Sequence, residues 1–61
     1  MITIGQKIYR QRTARGWSRW DLHDKTGYSE EAIRLWEIDK VKPSEPAIRS
    51  LERAFGEQLR K

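Results

Sequence analysis

The side chains of this chain that could do chemistry are recognition groups rather than reagents. Tyr28, Glu31, Leu35 and Ile38 recur at offsets of three, four and three, the spacing that lines residues along one helix face. Trp20 and His23 repeat the offset of three just upstream. Aromatic and aliphatic anchors with charges around them have the composition of a protein-binding hot spot. A polar set is interleaved with them: Arg19, Ser29, Glu30, Glu31, Arg34, Lys40 and Lys42. Its cations suit phosphates, whereas its carboxylates suit only an amino donor such as that of cytosine. No nucleophile and base, no paired carboxylates and no phosphate loop surround a plausible cleft, so the chain is not expected to be an enzyme. His23 is the only histidine and there are no cysteines, so neither a metal site nor a cofactor is expected.

Length and charge bound the scaffold that carries these groups. A chain of 61 residues holds one domain, near the lower limit for folding without staples. The absence of cysteine removes disulfides and fits a cytoplasmic protein, if the chain is natural. No apolar run approaches a membrane span, and MITIGQKIYR lacks the apolar core of a signal peptide. Lys and Arg outnumber Asp and Glu 13 to 9, for a net charge of +4. That balance permits binding to phosphates or to an acidic protein surface without choosing between them.

Periodicity and punctuation predict the elements. Thr3 caps a helix through Ile4, Ile8 and Gln11 to Ala14, stopped by Gly16, and Trp17 returns the chain to the core. Ser18 with Asp21 resembles a capping box, although Asp is shorter than the usual Glu or Gln. It opens a helix of about two turns that ends at Thr26 and Gly27. Ser29 caps the next helix, with Glu30 and Glu31 favoured in its first turn by the helix dipole, and with Ile33 and Trp36 pointing inward. After a loop from Asp39 to Pro43, Ser44, Glu45 and Pro46 start a helix whose apolar stripe is Ala47, Ile48, Leu51, Ala54 and Phe55. Gly56 ends it, leaving 57–61 as a frayed tail or one more turn. The expected fold is all-α, a compact bundle of four to five helices with a helix-turn-helix at Gly27, forming a single domain over residues 1–61.

IGQKI, the spacing of RGWS to DL to KTG to S, and then AI, WE and KPS, together resemble the helix-turn-helix domain of the Cro/CI-type (XRE) repressors. The resemblance implies a lambda-repressor-like fold whose helix at about 29–37 lies in the DNA major groove. It places Arg19 where the family often has Gln and puts Tyr28, Ser29, Glu30, Glu31, Ala32 and Leu35 on or beside the groove-facing surface. Arg34, Lys40 and Lys42 would meet the backbone, Leu22, Ile33, Trp36, Ile48 and Leu51 would be core, and Glu37 would make a structural contact near the following loop. A repressor of this kind would act as a homodimer on an operator of double-stranded DNA.

Departures from the pattern cluster on the outward side. His23 stands where a small Ala is usual, so its ring must turn outward or open the angle between the helices. Trp20 replaces a polar residue, and Ile38 and Asp39 replace a polar residue and a Gly, which calls for a left-handed backbone at Asp39. Glu30 and Glu31 would lie close to phosphates, where repulsion offsets any base contact. Trp20 could instead fold onto the first helix beside Tyr9, and His23 could be an ordinary surface histidine or, at an interface, a sensor of mild acid. The expectation is a non-catalytic module, natural or engineered, that binds a protein partner through Trp20, His23, Tyr28, Glu31, Leu35 and Ile38. The alternative is a DNA-binding repressor domain using Arg19, Ser29, Glu30, Glu31, Arg34, Lys40 and Lys42.

Overall fold

A computed structural model of the chain describes residues 2–59. Four helices follow in order among them: α1 Ile4–Ala14, α2 Arg19–Thr26, α3 Glu30–Glu37 and α4 Glu45–Phe55. Each begins at a hydroxyl that accepts from a free backbone N–H of the first turn: Thr3 from Gln6, Ser18 from Asp21, Ser29 from Ala32 and Ser44 from Ala47. The short Asp21 does complete its box, for its Oδ2 accepts from the Ser18 N–H at 2.9 Å. A second box, unforeseen in the sequence, closes α1, where Gln6 Oε1 accepts from the Thr3 N–H at 3.1 Å. Gly27 turns the chain between α2 and α3 with φ 83°, a left-handed conformation that favours glycine.

Leu22, Ile33, Ala47, Leu51 and Ile8 are fully buried and, with Trp36 and Phe55, form one core shared by all four helices. Each large aliphatic side chain so buried contributes about 1.5–3 kcal/mol. The expected inward sets of α3 and α4 are therefore observed, with Ala54 only partly covered. Gly5 lets α1 pack backbone against backbone on the C-terminal end of α3, because a Cβ there would overlap the Trp36 carbonyl oxygen. The left-handed Asp39 expected after α3 is present, with φ 63°. Its Oδ2 accepts from the Thr3 hydroxyl at 2.9 Å, a bond that offsets part of the backbone strain and ties the loop to the cap of α1.

Three expectations are corrected. Trp17 is half-buried rather than core, its ring stacked at 5.9 Å on Phe55 and flanked by Lys25 at 4.6 Å and Arg15 at 5.6 Å. An indole at the edge of so small a core is sealed by the stems of cations rather than by more apolar chain. Glu37 does not serve the following loop; it is buried against Arg12, with Arg12 Nε donating to Oε2 at 2.6 Å and Nη2 to Oε1 at 3.1 Å. The tail after Gly56 is not frayed as far as it is described. Leu59 is 1% exposed in the core, Lys7 Nζ donates to its carbonyl at 3.0 Å, and its N–H donates to Glu52 Oε2 at 2.9 Å. Residues 60 and 61 of the expected tail lie outside the described residues.

Candidate functional site

The turn between α2 and α3 is held by bonds that also arrange the outward side chains. The Gly27 N–H donates to the His23 carbonyl at 2.7 Å, closing α2. His23 Nδ1 lies 2.8 Å from the Tyr28 carbonyl. A carbonyl only accepts, so Nδ1 carries the proton. The half-buried imidazole thus bonds across the turn. Its ring meets Trp20 at 5.0 Å, while Tyr28 meets the buried Trp36 edge-on at 5.3 Å. Trp20, His23 and Tyr28 are therefore brought together in one run leading from the surface into the core.

Within that run the exposure is uneven. Trp20 is 58% exposed, whereas His23 and Tyr28 are half-buried, and Tyr28 packs against the core. Trp20 lines a shallow cleft together with Tyr9 of α1 and Glu30, and its indole contacts His23. Further along α3, Leu35 is half-buried with its carbonyl accepting from Lys40 and Val41. Ile38, at the C-cap, is 48% exposed.

The polar set is largely engaged within the protein. Glu31 accepts from Arg34 Nε at 3.2 Å and from its Nη2 at 2.6 Å. That bidentate bond, with the charge of the guanidinium, holds the Glu31 carboxyl below its ordinary range and pushes Arg34 up. Arg19 Nε donates to Glu37 Oε1 at 3.3 Å, so one buried carboxylate holds two arginines. Arg12 completes its own bonding by donating from Nη1 to the Trp17 carbonyl at 2.8 Å. Ser29 is used as the cap of α3, Glu30 is exposed at its first position, and Lys40 and Lys42 are exposed on the loop before α4.

The Arg12–Glu37 pair positions Arg19 and was not foreseen. Its signal was present: Arg12 continues the four-residue spacing of Ile4 and Ile8, which places it on the buried face of α1. A buried cation requires a buried anion, and Glu37 next to Trp36 is at the right depth.

Two short helices meeting at a left-handed glycine, with a capped second helix turned outward, are the geometry of a DNA-reading helix pair. The family model described as helix-turn-helix matches residues 8–61. The chain belongs to this XRE-type helix-turn-helix family. It is also similar to the multiprotein-bridging factor 1 of Schizosaccharomyces pombe, with 28% identity over 58 residues. That match takes in 95% of this chain but only 39% of the relative, so the chain spans about two fifths of the relative's length. No solved structure matches. As a helix-turn-helix domain the chain is a binding module for nucleic acid or protein, and no helix among the described residues is long and apolar enough to cross a membrane.

Proposed function

We propose that this helix-turn-helix domain binds a protein partner through the outward side of α2 and α3, with Trp20, Leu35 and Ile38 as anchors and His23, Tyr28 and Glu31 around them. The observation that carries this reading is the exposure of Trp20 beside an α3 whose only arginine is already paired with Glu31. In the DNA reading Arg34 would have to leave that bidentate pair to meet the backbone, and Glu30 and Glu31 would lie near phosphates. An apolar partner requires neither, and it would remove the exposed indole and Ile38 from water. The name of the bridging relative, which speaks of joining proteins, is in keeping with such a role.

The second reading is recognition of an operator in double-stranded DNA by the same helices as a homodimer. It draws on the family match and on Arg19, Lys40 and Lys42, which stand at the ends of the two helices and on the loop, where a sugar-phosphate backbone would pass.

Selection of displayed random peptides against the folded domain, with counter-screening on Trp20→Ala and Leu35→Ala, tests the first reading. Selected ligands are expected to lose about 2 kcal/mol, roughly 30-fold in affinity, when an anchor is truncated. Ligands indifferent to both substitutions would return Trp20 and Leu35 to a structural role.

A further inference from the structure

A second surface lies where the N-terminus of α1 meets the loop before α4. A cleft of about 500 Å³ opens there, walled by Ile4, Val41, Pro43 and Ile48. Val41 stands 47% exposed, so the cleft offers aliphatic surface to the outside. Its polar edge carries two exposed lysines, Lys40 and Lys42, against one carboxylate. Asp39 is on that edge and accepts from the Thr3 hydroxyl through Oδ2. Lys42 lines the cleft and Lys40 is exposed two residues earlier; among the described residues neither has a carboxylate within 4.0 Å.

From this arrangement we infer that the cleft docks an acidic segment of a protein partner, an aliphatic side chain filling the space between Ile4, Val41 and Ile48 while flanking carboxylates meet Lys40 and Lys42. Both halves of the site are needed to choose the occupant. A duplex backbone could satisfy the lysines, but it has no aliphatic group for the cleft and would leave Val41 in water. A second copy of this chain carries a net +4 and, paired about a twofold axis, would bring its own Lys40 and Lys42 near those of its mate. An acidic, leucine-bearing segment complements both the shape and the sign, in the helix-in-groove or extended mode of peptide recognition. This surface does not depend on the one proposed for Trp20.

The test uses a labelled synthetic acidic peptide with leucines at helical spacing, and a control of the same charge with serine in place of each leucine. Each is titrated into the isotope-labelled full chain while amide shifts are followed. Saturable binding is expected, with shifts at Ile4, Val41 and Ile48 and at least a tenfold weaker response, about 1.4 kcal/mol, for the serine control. Val41→Asp and Lys42→Glu alter exposed loop positions, and each is expected to weaken the leucine peptide at least about tenfold with unchanged circular dichroism. Equal binding of the two peptides, or no saturation up to about 1 mM, would overturn the proposal. Shifts confined to Trp20 and Ile38 would do the same, because they would assign the peptide to the helix-turn-helix face. So would random duplex DNA or self-association giving the cleft shifts that the peptide fails to give.

Discussion

Replacing Gly5 by Ala pits two effects of opposite sign against each other. Gly5 lies in the first turn of α1 at a negative φ, so Ala is conformationally acceptable and reduces the freedom of the unfolded chain. That effect alone would stabilise by about 0.4–1 kcal/mol. In the folded protein, however, the new Cβ overlaps the Trp36 carbonyl oxygen and lies 2.5 Å from Asp39 Oδ1 and 3.1 Å from the Trp36 carbonyl carbon, whereas ordinary contact begins at 3.4 Å. The Asp39 side chain can swing aside, at the expense of its bond to Thr3. The Trp36 carbonyl belongs to the backbone of α3 and cannot. Helix α1 must then withdraw by roughly 1 Å or more along its interface with α3, an overpacking of the kind that costs about 1–3 kcal/mol and occasionally more. The net expectation is a loss of about 2 kcal/mol from a total of roughly 3–9 kcal/mol for a chain of this length. Urea denaturation followed by circular dichroism would then show the midpoint falling by about 2 M for a slope near 1 kcal/mol/M. A midpoint equal to or above that of the parent would refute the close approach of α1 and α3, and with it the placement of Trp36 and Glu37.

Other consequences can be checked on the same scale. Glu37→Gln leaves the guanidinium of Arg12 buried without its counter-charge and should cost about 3 kcal/mol or more in chemical denaturation, whereas an exposed ion pair would cost under about 1. Leu59→Ala should cost about 2–3 kcal/mol, and a value near zero would show that the tail does not dock. Because Arg34 depresses the Glu31 carboxyl, the stabilisation from this pair is present above the unfolded value near 4.5 and lost as pH falls through the lower folded value. The Glu31 side-chain carboxyl, followed by NMR, should therefore titrate below an ordinary glutamate, and Arg34→Ala should return it to the ordinary range.

The sequence made the helix pair legible because local chemistry specifies it. Ser18, Gly27 and Ser29 each act within a few residues of themselves, and Ile33 and Trp36 follow from helical period alone. Features that join distant parts of the chain were not legible. Arg12 and Glu37 are separated by 25 residues, and a charged residue taken one at a time reads as solvated. Leu59 follows a left-handed Gly56 that could send the tail in any direction, and only the packed position of Lys7 and Glu52 determines where it returns. The outward residues lie between these cases. The volume of His23 says that it cannot fit a small slot between the helices but not that it bonds to the Tyr28 carbonyl, whereas the Glu31–Arg34 pairing is available from their i,i+3 spacing.

In the proposed function α2 and α3 meet an apolar protein surface rather than base edges. Titration of the intact chain against pooled random duplex DNA, at low and then at physiological salt, tests it most directly. Binding is expected to be weak and nonspecific at low salt and absent at physiological salt, because the arginines of the helix pair, Arg19 and Arg34, are already paired with Glu37 and Glu31. Selection of a preferred sequence from the pool, bound at physiological salt with a steep salt dependence that Arg19→Ala or Arg34→Ala diminishes, would contradict it.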